Sequence, residues 1–320
     1  MYPRNLLSSS TGLAAAFVLL ATLWGTSFVA IEAGLAYVPP LLFAGIRYAI
    51  AGVVVLAYAA VVSDRWLPSG RDEWLGIAVA GAFVIAAYHG LLYVGELYIS
   101  GAVAAVIVSL SPVLTAVFAA VTLSEARLGS VEIAGFALGL LGVVIIADPA
   151  GVSTFTSNAD GTLSPELIGI GLVFLSAIAF SIGAVLLRPL RTDLPIAALQ
   201  GWAMVLGAGL LFGGAAVLSE SPAAIVWNRT AILSLAYLTV FSGVIAFLVY
   251  FALLDAVGPT QLHLVGYAEP IVAAVGSWVL LGHVIEAEAI LGFLAILAGF
   301  AALERREIAA YVSARTGVIR

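Results

Sequence analysis

Glu269 is the side chain in this sequence best placed to do chemistry. It lies in the run Gly266-Tyr267-Ala268-Glu269-Pro270, inside an apolar stretch over 260–281. About nine residues into such a stretch, at about 1.5 Å per residue, a side chain is roughly 14 Å deep. That is near the middle of a hydrocarbon core about 30 Å thick. A carboxylate at that depth faces a bundle interior or a wet cavity. It can bind a substrate ammonium group, carry a proton that drives transport, or hydrogen-bond a neighbouring helix. Pro270 removes a backbone donor beside it, and disturbed backbone at membrane depth survives only under protein or cavity water. A charge and a helix break at one depth point to a transport site.

The pattern recurs 158 residues earlier, where Ser111-Pro112 lies in the apolar run 101–122. Ser109, Ser111 and Thr115 can hydrogen-bond a substrate carboxylate or hydroxyl, or cap the carbonyls that Pro112 frees. Glu32 and Arg47 flank the Pro39-Pro40 turn and suit an ion pair between the first two helices, or an outer gate. His89, beside Tyr88, is either a titratable site residue or an interhelical hydrogen-bond partner. Gln200 and His263 suit an inner vestibule. Trp24, Tyr88, Tyr93, Trp202, Tyr250 and Tyr267 are pocket walls or ordinary packing. The three His are too scattered for a metal site, and nothing calls for a cofactor.

The elements that carry these residues follow from composition. The 320 residues are 63% hydrophobic and 9% charged, with mean hydropathy +1.18. Soluble domains carry about 25% charged residues, so the chain reads as an all-α polytopic membrane protein. Ten apolar runs span about 13–36, 41–62, 74–95, 101–122, 131–147, 167–187, 196–218, 231–254, 260–281 and 287–304. The first is too long for a signal-peptide core and is expected to be a retained helix. With the N-terminus inside, ten Arg lie on the cytoplasmic side, Arg229 alone lies outside and Arg47 lies in a helix. That bias places both termini in the cytoplasm. Cys and Lys are absent, which excludes a disulfide framework and a phosphate-binding P-loop lysine. At net charge −6, with no basic cluster, the chain offers nothing to nucleic acid.

Five runs precede the Asp148–Glu166 linker and five follow it. Repeat one covers 1–148, the extracytoplasmic linker 149–164, repeat two 165–306 and a cytoplasmic tail 307–320. An odd number of crossings per half inverts the second half relative to the first. Gly135 and Gly142 fall opposite Gly292 and Gly299. Gly135-x-x-x-Gly139 and Ala295-x-x-x-Gly299 suit close helix packing, within the chain or between copies.

The stretches Trp24-Gly25-Thr26-Ser27-Phe28, Pro39-Pro40 and Arg47-Tyr48-Ala49 resemble the opening of an EamA domain. Its close resembles Ser111-Pro112, Leu123-Ser124-Glu125, Gly135 and Gly142. Glu269-Pro270 and Gly282 repeat the scheme. The chain thus resembles a two-EamA-domain member of the drug/metabolite transporter superfamily. That resemblance implies ten helices and export of amino acids or other small metabolites. Two positions depart from it: His283 stands where the family has a Glu, and Trp202 stands where the first half has Arg47.

The reading is a secondary-active or facilitative carrier in the cytoplasmic membrane, working by alternating access around Glu269, Tyr267, Ser111 and Trp24. Protons, counter-substrate or nothing couples it, and its partners are a small solute and the bilayer. Sparse charge disfavours phosphorylated solutes. A non-transporting sensor or scaffold is the alternative. An intramembrane enzyme would need a motif such as H-E-x-x-H or G-x-S-x-G, and the sequence has neither.

Overall fold

The computed structural model describes residues 9–123, 129–147, 163–190, 192–262, 265–303 and 305. The described residues form helices and connecting loops, without strands. Helix α1 is Ser10–Leu35 and α2 is Pro40–Val62. Helix α3 runs through Arg71–Val79, Ala80–Ala87 and Tyr88–Gly95. Helix α4 is split into Gly101–Val108 and Ser111–Thr122. Then come α5 (Ser130–Ala147), α6 (Pro165–Leu187) and α7 (Ile196–Val217). Helix α8 runs through Arg229–Ala236, Tyr237–Ile245 and Ala246–Leu262, followed by α9 (Val265–Leu281) and α10 (Ala287–Leu303). Seven of these are long and apolar enough to cross a membrane, and α5, α9 and α10 are shorter apolar helices.

Local chemistry explains the starts. Ser9, Ser100, Ser164 and Asn228 each accept an N–H from the first turn of the helix that follows, filling donors a helix leaves open. Helix α2 opens on Pro39-Pro40 without a cap of its own. Glu220, in the loop after α7, supplies one by accepting from Leu41 N at 3.0 Å and Leu42 N at 2.8 Å.

Two boundaries differ from the sequence reading. The backbone stays helical to Leu262, through the 255–259 gap expected between the eighth and ninth runs and the Gly258-Pro259 pair in it, and α9 starts at Val265 rather than near 260. Within α3 and α8, the stretches Ala80–Ala87 and Tyr237–Ile245 are wound as π-helix, a widening that often accompanies function.

Helix α2 lies along α7, α5 along α10, and α1 along α9; α3 packs on α6 and α7, and α4 on α6 and α9. Glycine sets the closest crossings. A Cβ on Gly135 would come within 2.7 Å of the Gly299 carbonyl, and one on Gly142 within 2.5 Å of the Gly292 carbonyl. The small-residue faces expected from sequence therefore meet within one chain. Outward faces carry exposed Val18, Val53, Val61, Val217 and Leu291, as lipid contact requires.

One end of the bundle holds Arg65, whose guanidinium meets Glu73 at 2.8 and 2.5 Å. That hydrogen-bonded carboxylate raises the Arg65 guanidinium above its ordinary value. Trp66 and Trp202 stack there at 6.3 Å, and Trp202 Nε1 donates to the Trp66 carbonyl. The opposite end holds Glu32, Glu220 and His283.

Candidate functional site

Glu269 lies only four residues into α9, yet it is deep. Its backbone carbonyl crosses α1 at Gly25, where a Cβ would come within 2.7 Å of it. Gly25 is at mid-height of Ser10–Leu35. Val265, at the start of α9, is buried against α1 and α8, so the helix begins inside the bundle. Glu269 therefore sits at mid-bundle because of the helix it crosses and not by its distance along its own.

The helix continues through Pro270. Pro270 cannot donate to the carbonyl four residues back, which leaves Gly266 without its helical donor. Gly266 and Glu269 share a face, being three residues apart. A side chain on Gly266 would meet nothing within 4 Å. Glu269 is half-buried, and its carboxyl makes no hydrogen bond or ion pair with a described residue. Space is thus open at Gly266, one turn from Glu269. Tyr267 points elsewhere and packs on Phe300 of α10 at 4.3 Å between ring centroids.

In α4 the serines bond to their own backbone. Ser109 Oγ donates to the Val106 carbonyl, Ser111 Oγ to Val108, and Thr115 Oγ1 to Ser111. Ser111 thus caps the Val108 carbonyl that Pro112 frees, while Ser109 and Thr115 bond to other carbonyls of α4. Ser181 of α6 also donates to the Ser111 carbonyl at 3.0 Å.

A second polar group joins three helices. Arg47 is buried, donating from Nη1 to the Tyr93 hydroxyl at 2.9 Å and from Nη2 to Ser242 Oγ at 3.0 Å. Its guanidinium carbon also lies 4.8 Å from the Tyr48 ring centre. The Ser242 carbonyl accepts from Trp24 Nε1 at 3.3 Å, and Trp24 meets the Phe247 and Tyr250 rings at 5.5 Å. His89 bridges the Ile85 carbonyl at Nδ1 and the Tyr48 hydroxyl at Nε2. With Nδ1–H donating, Nε2 is left to accept. Tyr88 stacks edge-on with His89, packs on Phe180, and lies close enough to Glu269 for their charges to interact.

The expected ion pair between Glu32 and Arg47 does not form. Glu32 instead accepts from Gly101 N at 2.8 Å, at the start of α4, and pairs with His283 Nδ1 at 2.8 Å. A carboxylate is favoured at a helix N-terminus, while Arg47 is directed across the bundle to α3 and α8. His263 lies outside the described residues. Ser242 and Glu96 escaped the sequence reading, while Tyr48, Tyr93 and Gly266 were present in it without these partners. Tyr48 adjoins Arg47 in sequence, whereas Ser242 reaches it from 195 positions away with no local signal. Glu96 ends an apolar run and reads as solvated, yet it is buried.

Two clefts lie away from these groups. One of about 640 Å³ is lined by Arg65, Asp72, Glu73 and Asp193 at a loop end. Another of about 450 Å³ is an apolar groove bordered by Leu41, Gly90, Leu172 and Leu211. Neither includes Glu269.

Fold and polar interior together define a helical, polytopic membrane protein with ionisable groups held inside its bundle. The model of the EamA-like transporter family matches residues 12–147 and again 167–304. The chain belongs to that family. It is 28% identical over 252 residues to the inner membrane transporter YedA of Escherichia coli strain K12, covering 78% of this chain and 77% of that one. It is 26% identical over 291 residues to a transporter of Archaeoglobus fulgidus, covering 90% and 97%. Against the transporter YvbV of Bacillus subtilis strain 168 it is 28% identical over 299 residues, covering 92% and 91%. A solved crystal structure at 21% identity matches the fold with a TM-score of 0.61, over 92% of this chain and 98% of that one.

Proposed function

We propose that the chain is a secondary carrier that exports small zwitterionic metabolites, amino acids foremost, across the cytoplasmic membrane. Ten helices cross the bilayer as two inverted halves, 1–148 and 165–306, with both termini cytoplasmic. The halves rock about the space beside Gly266 and Glu269, which opens to each side in turn.

The observation that carries this reading is Glu269: a half-buried carboxyl at mid-bundle with no partner among the described residues, beside a proline inside its helix and one turn from the open space at Gly266. Intramembrane acids of this kind mark solute and proton pathways. Packing supports the inverted halves. Exchanging α1 with α6, α2 with α7, α3 with α8, α4 with α9 and α5 with α10 maps the α1–α9 contact onto α6–α4, and α3–α7 onto α8–α2; all four contacts are present. The π-helical stretches start at Ala80 and Tyr237, in matching places of the two halves. A carboxylate binds the solute's ammonium group, and a protonated Glu269 carries the donor that the Gly266 carbonyl lacks. Solute and proton then compete for one side chain.

The native chain has no Cys, so Gly266→Cys would carry the only thiol. In sealed vesicles this thiol should react with an impermeant maleimide added from either side, and solute should protect it. Labelling from one side alone would contradict alternating access. Ala223→Cys and Asp64→Cys, at opposite ends of the bundle, report the orientation in the same vesicles.

A further inference from the structure

Glu96 follows α3 at the Glu32 end of the bundle. It is 5% exposed, and neither of its carboxyl oxygens has a hydrogen-bond partner. A buried charge without a partner is far less favourable than the neutral acid. A complementary vacancy lies on Arg47 of α2. Both terminal nitrogens of Arg47 are engaged, but its Nε–H is buried and unpartnered. Tyr93, which holds Arg47, precedes Glu96 by three residues, so the two share a face of α3. Arg47 and Glu96 stand within electrostatic reach of each other.

The ionisable groups facing Glu96 are few. Glu32 faces it from α1, Arg47 from α2, and Tyr88 and Tyr93 from α3 itself. Helix α6 meets the end of α3 through Gly169 and Val173, which carry no ionisable group. Glu32 is already committed to Gly101 N–H and His283. Among the described buried side chains, Arg47 is thus the one with an N–H donor to spare.

We propose that Glu96 is a proton-binding site whose occupancy sets the partners of Arg47. With its proton, Glu96 is a neutral side chain that tolerates burial, and Arg47 bridges Tyr93 on α3 and Ser242 on α8. When the proton leaves to water at the Glu32 end, the carboxylate takes the Arg47 Nε–H and draws the guanidinium off that bridge. The link between α2, α3 and α8 is then released. This inference stands apart from the solute and from Glu269, and its test needs no transport.

The test is an infrared pH titration of the full chain in phosphatidylcholine vesicles in sodium-free buffer. Wild type, Glu96→Gln, Glu269→Gln and Arg47→Lys are compared, with the amide band and a monodisperse elution profile confirming the fold. Wild type should show a protonated-carboxyl band that vanishes as pH rises. A component of that band should be missing in Glu96→Gln and retained in Glu269→Gln. The guanidinium band lost in Arg47→Lys should shift with the same midpoint in wild type and stay fixed in Glu96→Gln. An unchanged carboxyl band in Glu96→Gln overturns the proton site. Loss of that band on adding sodium at fixed pH also overturns it, in favour of a metal-cation site. A guanidinium band that ignores the titration overturns the switch.

Discussion

The Ser111 hydroxyl donates to the Val108 carbonyl at 2.7 Å, standing in for the amide hydrogen that Pro112 lacks. In the other half Glu269 holds the place of Ser111, and Gly266 that of Val108. One half closes its proline break with a hydroxyl, and the other carries a carboxylic acid at the corresponding position. Ser111→Ala should destabilise the chain by about 1–3 kcal/mol, because the Val108 carbonyl loses its donor. Ser111→Thr should recover most of the loss. Chemical unfolding of the two variants beside wild type measures both.

Gly25 and Gly266 should respond in opposite ways to the same added methyl. At Gly25 it runs into the Glu269 carbonyl and the Val272 side chain, each 2.7 Å away, and overpacking costs about 1–3 kcal/mol. At Gly266 it enters open space, and replacing a helical glycine gains about 0.5–1 kcal/mol. Unfolding should therefore show Gly25→Ala weaker and Gly266→Ala stronger than wild type. Flux should fall in both, and its loss in the more stable variant would mark the space as the solute's.

Arg47 couples Tyr93 to Ser242. Hydrogen bonds to charged groups contribute about 1.5–3 kcal/mol, so Tyr93→Phe and Ser242→Ala should each cost about that much. Because both act through one guanidinium, the double variant should depart from additivity by more than about 0.5 kcal/mol. A thermodynamic cycle on the four proteins checks this, and additive losses would separate the two residues.

Helices α5 and α10 meet within the chain at Gly135 against Gly299 and Gly142 against Gly292. Gly142→Val should lower the unfolding midpoint while the mass by light scattering stays unchanged. A change of oligomeric state at constant stability would instead place this seam between copies.

Helical membrane architecture was legible because hydropathy is a local property, and a run such as Pro40–Val62 announces itself. Glu269 was legible for the same reason, as a carboxylate that nothing in its own stretch explains. Gly258-Pro259 misled, since the backbone there stays helical despite two residues that usually end a helix. The Glu32–Arg47 pair misled because nearness to one turn says nothing of direction; the Gly101 amide draws one and Tyr93 the other. Ser242 could not be read at all, since the fold alone brings it to Arg47. Glu96 was hidden by its place at the edge of an apolar run, where exposure is the ordinary expectation.

The most direct measurement is solute counterflow in proteoliposomes, with unlabelled amino acids and related metabolites inside and labelled solute outside, for wild type and Glu269→Gln. The account predicts accumulation of label by wild type for at least one zwitterionic solute, and its loss in a Glu269→Gln protein that remains folded. Equal counterflow in both would contradict it, leaving a carrier whose Glu269 neither binds solute nor couples its movement.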